Sequence, residues 1–219
     1  MSFSKKLWQK LKLKKFMLII IAFILLLLIL IGNQIYKKLY FSYVKSNING
    51  KYYLVQNLPD KQNAADKLAQ ISDGCVKLID YLKKNYPEID ITKRLAKNYN
   101  PENVSEGIDS NSYTTYTVNK GEQMVFCLRT KGAKEEKKNN SDEQERKNEI
   151  HKLNILMFVA IHEMAHIASV SLDHTPEFRE NFKFLLEQAI NCNVYRDEKY
   201  DIEPKYYCGI LVTDNPLKA

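Results

Sequence analysis

From Phe16 to Gly32 the chain has no charged or strongly polar side chain. A helix of that length is at the short end of what crosses a bilayer. Whatever else this sequence folds into, that run must end in lipid, in a core or in a removed leader. Asn33 and Gln34 close it, Lys37 and Lys38 follow, and Trp8, Tyr36 and Tyr40 are spaced to sit at two membrane interfaces. A cleaved signal peptide has a shorter apolar core and a small-x-small cleavage site. Here the run ends Leu30-Ile31-Gly32-Asn33, without that pattern. A buried core helix is seldom so uniformly apolar. The reading is an uncleaved anchor, with residues 1–15 as a basic tail, 16–36 as a transmembrane helix and 42–219 as one further domain.

Charge orients the anchor. Lys5, Lys6, Lys10, Lys12, Lys14 and Lys15 precede it, against Lys37, Lys38 and Lys45 behind it. The lysine excess puts the N-terminus in the cytosol and the C-terminal domain on the extracytosolic side. The formal net charge of +7 falls to about +1 once the six leading lysines are set aside. No basic face remains to track phosphates, so no nucleic-acid partner is expected. Cys75, Cys127, Cys192 and Cys208 lie far apart with no CxxC pair, which argues against a cysteine zinc site. They allow two disulfides in an oxidising space or four thiols in a reducing one.

Periodicity places the motifs. Residues 42–50 read as a linker and Tyr52–Gln56 as a strand. Ala64, Leu68, Ile71, Cys75, Leu78, Ile79 and Leu82 form one stripe, predicting a core-facing helix over 63–85 that Pro87 ends. A short helix is expected within 88–99 and a loop over 100–112. Tyr113–Val118 and Gln123–Arg129 predict a β-hairpin in which Gly121 supplies a positive φ. Ser141 to Gln144 fits a capping box, so a long helix is expected from Asp142 to Ser171, its second half buried. Pro176 opens another helix, with Phe178, Phe182, Leu185, Leu186 and Ala189 on its apolar face.

The chemistry lies in His162-Glu163-Met164-Ala165-His166. On a helix, residues four apart share a face, so the two imidazoles can bind one zinc ion. Glu163 then lies beside a zinc-bound water and can take its proton as it attacks a carbonyl. A chance match to this pattern on an ordinary helix is the bland alternative. Against it, two histidines and a glutamate in an apolar, buried helix need a reason. Three of only four histidines fall between 162 and 174, and the fourth, His151, reads as a surface residue. A catalytic zinc needs a third protein ligand and an open position. His174 is the candidate, with Asp173, Glu177, Glu180 and Glu187 as rivals.

His162 to His166, seven residues, then His174-Thr175-Pro176-Glu177-Phe178 resembles the zinc site of the WLM and SprT-like metallopeptidases. The resemblance implies His162, His166 and His174 as Zn2+ ligands, Glu163 as the base and Phe178 as the aromatic that packs the second helix behind the site. The wider arrangement is similar to membrane-anchored members encoded by large DNA viruses. It rests on Tyr113 to Gly121 (YTTYTVNKG), Phe126 to Arg129 (FCLR) and Tyr207-Cys208-Gly209, and it implies a virion or host membrane. SprT-like relatives that act on DNA-bound proteins carry nucleic-acid-binding parts. None is found here, so that function is not carried over.

The expected fold is α+β, a minimal zincin-like domain with an HExxH helix, a small sheet and a packing helix. The expected activity is peptide-bond hydrolysis on a peptide or protein substrate. The 113–129 hairpin is a candidate edge for an extended substrate, and Tyr195, Tyr206 or Tyr207 for oxyanion stabilisation. The alternatives are a non-catalytic, zinc-stapled membrane or virion structural protein, and a membrane adaptor in which the motif is accidental.

Overall fold

A computed structural model describes residues 2–107, 114–130 and 149–218. The chain divides into two compact units, Met1–Ser42 and Tyr43–Ala219. The first is essentially one helix, α1 (Ser2–Tyr40). Over Lys14–Tyr40 it is long and apolar enough to cross a membrane, a test that a signal sequence also passes. Every side chain from Lys14 to Tyr36 is exposed. A helix apolar on all sides has no stable place in water.

The second unit is α+β. Its strands and helices follow in the order β1 (Phe41–Lys45), β2 (Tyr52–Gln56), α2 (Lys61–Asn85), α3 (Asp90–Asn98), β3 (Val104–Glu106), β4 (Tyr116–Val118), β5 (Gln123–Phe126), α4 (Leu153–Ala168), α5 (Pro176–Asn191), β6 (Lys205–Tyr207) and β7 (Ile210–Val212). A five-stranded mixed sheet has the order β1-β2-β3-β5-β4, and β6 pairs with β7 in a separate hairpin. β3 runs parallel to β2 (Leu54 opposite Ser105) and to β5 (Ser105 opposite Val125). β4 is antiparallel to β5, with Thr117 opposite Met124, and is an edge strand.

α2 is buried along the stripe read from the sequence and packs on β2 and β3. α4 packs against α2, α3 and α5. Its residues are buried on nearly every side. Val159, His162 and His166 are among the few that are not, and they share one face.

Several expectations need correction. Part of the 42–50 linker belongs to strand β1. The 100–112 loop contains β3, which is central in the sheet and fully buried. A three-residue strand with a glutamate in it has no alternation to read. Burial of Glu106 is made tolerable by Arg129, whose Nε donates to Glu106 Oε1 at 2.7 Å and whose Nη1 donates to Asp60. The predicted 142–171 helix is shorter. Residues 141–148, with the whole capping box, and Tyr113 of the hairpin lie outside the described residues. Ile150 is extended and bridges Arg129, and α4 begins only at Leu153.

The hairpin turn has the positive φ expected at Gly121, and two more before it. Asn119 (φ 46°) and Lys120 (φ 56°) both adopt positive φ, as the central residues of a type I′ turn do, and Gly121 follows at φ 114°. Gly121 meets a further constraint. A Cβ there would stand 2.6 Å from the Asn98 carbonyl oxygen, and its own carbonyl accepts from Asn100 N at 3.1 Å.

Neither cysteine expectation holds. Cys127 and Cys208 form one disulfide, while Cys75 and Cys192 are free and buried. His151 is not a surface residue. It is buried, its Nε2 accepts from the Cys208 amide at 3.2 Å, and its ring packs on Tyr207.

Candidate metal centre

α4 presents His162 and His166 one turn apart, and Ser169 ends the helix at an extended C-cap. The chain returns through a short loop to Thr175, which N-caps α5 by accepting from Phe178 N. That return brings His174 back over the open face of α4. His174 Nε2 lies 3.1 Å from His162 Nε2 and 3.2 Å from His166 Nε2. Three nitrogens bound to one tetrahedral zinc at ordinary Zn–N distances stand about 3.3 Å apart. The three ligand atoms here all lie within 4.8 Å of one another.

The donor chemistry also fits a cation. Burial, then the neighbouring histidines, lowers the pKa of His162 to about 3. Burial, then His174, lowers that of His166 to about 4. Both rings are therefore neutral near pH 7, with lone pairs to offer. Phe178 packs its ring 4.3 to 4.9 Å from all three imidazoles, and Phe182 lies 5.2 Å from His162. A cluster of three imidazoles, all backed by aromatics, could hold a metal ion.

The rival ligands are not part of the cluster. Among the described residues the cluster holds only the three histidines. The Glu177 carboxylate accepts instead from Val170 N at 3.0 Å and from Ser171 N at 3.3 Å. It ties down the loop that carries His174.

Glu163 is buried at 6% exposure. Burial raises its pKa to about 7, while Thr117 of the edge strand β4, through its hydroxyl and its backbone, opposes that rise. Glu163 and the three histidines all line one cleft of about 850 Å³. One wall of this cleft is Thr114–Thr117 leading into β4. The other includes Ile210–Asp214, from β7 into the tail. Leu172 and Val159 add apolar surface.

Of the three tyrosines considered for the oxyanion, only Tyr207 reaches the cleft. Its hydroxyl donates to the Cys127 carbonyl at 2.9 Å and contacts Thr115 Oγ1. Tyr195 is packed against Phe158 and Tyr206 is exposed. Sequence reasoning missed Lys120. Its ammonium donates to the carbonyls of His166 (3.0 Å), Ser169 (2.8 Å) and Ser171 (2.5 Å). It also missed the C-terminal wall. A lysine in a tight turn just before a glycine, and the run Ile210-Leu211-Val212 after Gly209, were the available signals.

Over 181 residues the chain is 35% identical to an uncharacterized protein, R325, of Acanthamoeba polyphaga mimivirus, covering 81% of this chain and 85% of that one. The chain belongs to the family of that mimivirus protein. A second relative, the uncharacterized protein 136R of Invertebrate iridescent virus 6, is 31% identical over 94 residues, 43% of this chain and 44% of its own length. No protein-family model matches the chain, and no solved structure matches it. The kinship is with viral proteins and brings no activity with it.

Proposed function

We propose that this protein is a membrane-anchored, zinc-dependent metallopeptidase of WLM/SprT-like type, with a zincin-like domain. The observation that carries the reading is the meeting of three imidazoles, His162, His166 and His174, with a buried carboxylate, Glu163, in one cleft. Zn2+ held by the three histidines would supply the Lewis acid that makes water nucleophilic near neutral pH. Glu163 takes the proton at its carboxylate and returns it to the leaving amine. A carboxyl group whose pKa is about 7 is matched to both steps. β4, an edge strand lining the cleft, is the edge beside which an extended peptide substrate would lie.

The helix 16–36 serves as an uncleaved anchor. The lysine excess ahead of it supports a cytosolic N-terminus. The Cys127–Cys208 disulfide supports an oxidising, extracytosolic setting for the C-terminal unit. The experiment is zinc content by elemental analysis of the purified chain, followed by cleavage of an unstructured protein substrate by wild type and Glu163→Gln. About one zinc per chain in both, with cleavage only by wild type, is the expected result. Zinc in both with cleavage by neither favours the zinc-stapled structural protein instead.

A further inference from the structure

The loop between α4 and α5 carries His174, and it leaves α4 at the end where helix carbonyls lack partners. One side chain collects them. Lys120 Nζ donates to the carbonyls of His166, Ser169 and Ser171, placing a cation at the negative end of the helix. The first of these carbonyls belongs to a proposed ligand. The third lies three residues before another.

A second, independent feature singles out the same residue. Lys120 sits at φ 56° in a turn where asparagine, aspartate or glycine is favoured. A lysine held in that region points to a use for its side chain. The turn itself is fixed by the close approach of Gly121 to Asn98, so the starting point of the Lys120 side chain is set. On the opposite side of the loop, Glu177 takes the amides of Val170 and Ser171. The loop is therefore held by a cation on its carbonyls and an anion on its amides.

We propose that Lys120 is a positioning residue for the metal centre, seating the 169–175 loop so that His174 Nε2 meets the two helix imidazoles. This rests on the zinc reading above. It also gives the β4–β5 hairpin two tasks. Thr117 faces the base, and Lys120, three residues on, holds the ligand loop.

The test uses the full chain in detergent, as wild type, Lys120→Met and Lys120→Arg. Zinc affinity is read by chelator competition, the ligand field by the visible spectrum of the Co2+-loaded protein, and loop order by amide hydrogen exchange over 169–175. Lys120→Met should weaken zinc binding by about 10- to 100-fold, the range for outer partners of metal ligands. It should also shift the Co2+ spectrum and speed loop exchange, and Lys120→Arg should recover part of each. Wild-type affinity and spectrum in Lys120→Met overturn the proposal, even if that variant is less stable. Absence of zinc from a folded wild type overturns the metal reading itself, and the ligand-positioning role with it.

Discussion

His174 Nε2 lies 3.1 Å from His162 Nε2, although the two residues are twelve apart and belong to different elements. The second contact follows from the path of the loop, not from helix periodicity. Two imidazoles on one helix make a weak, exchangeable site. A third, brought in from outside the helix, would give a bound zinc three protein ligands and leave one position open.

Separate substitutions should therefore separate binding from chemistry. His174→Ala is expected to lose most of its zinc affinity, because it removes one of three protein ligands. Glu163→Gln should keep full zinc content and lose about 10²- to 10⁴-fold in kcat, the usual worth of a general base. Chelator titration and single-substrate kinetics check the pair. Equal loss of zinc in both variants would contradict the roles assigned.

The Cys127–Cys208 disulfide closes a loop with a sequence separation of 81 and ties the C-terminal hairpin to the end of β5. Its removal by Cys127→Ser/Cys208→Ser should cost up to about 4.5 kcal/mol on the chain-entropy scale for loops of this size. Denaturant unfolding measures it. Thiol labelling of the denatured, unreduced chain should count two cysteines, Cys75 and Cys192, and four after reduction. Four before reduction would argue against an oxidising location.

His151 gives the fold an acid limit. Burial lowers its pKa to about 4 from an ordinary 6.5, and its Nε2 must be unprotonated to accept from Cys208 N. The unfolded chain takes up a proton below pH 6.5 and the folded chain only below about 4. Stability should therefore fall as pH drops through that window and level off beneath it, by up to about 3 kcal/mol in all. His151→Gln should flatten the profile in thermal unfolding followed from pH 7 to 4.

Arg129 is 5% exposed at its side chain, beside a Glu106 side chain that is fully buried. Burial raises the Glu106 pKa and the guanidinium opposes it. Arg129→Met strands that carboxyl group and should cost about 3–5 kcal/mol in denaturant unfolding. A double variant, Arg129→Met/Glu106→Gln, should recover part of the loss.

The elements legible in sequence were those with long patterns. The apolar run of α1, the stripe of α2 and the proline-led face of α5 each repeat over several turns, so local chemistry outweighs context. The HExxH pair was equally legible, because four-residue spacing on a helix fixes which side chains share a face. β3 and β6–β7 were not. Strands of three residues show no period, and their pairing is decided by partners far along the chain. The 142–171 helix was overextended at its start because Ile150 pairs with Arg129 instead of joining the helix.

By itself the sequence determined the apolar N-terminal helix, the two helix histidines and the glutamate between them. These depend on composition and on spacing within one element. Tertiary structure decided which remaining residues meet them. It chose His174 over Glu177, Tyr207 over Tyr195 at the cleft, and Cys127 with Cys208 over other pairings. It also placed Lys120 at the end of α4. These choices depend on where loops return in space, and loop closure is set by the packing of α4 against its neighbours, which no local pattern records.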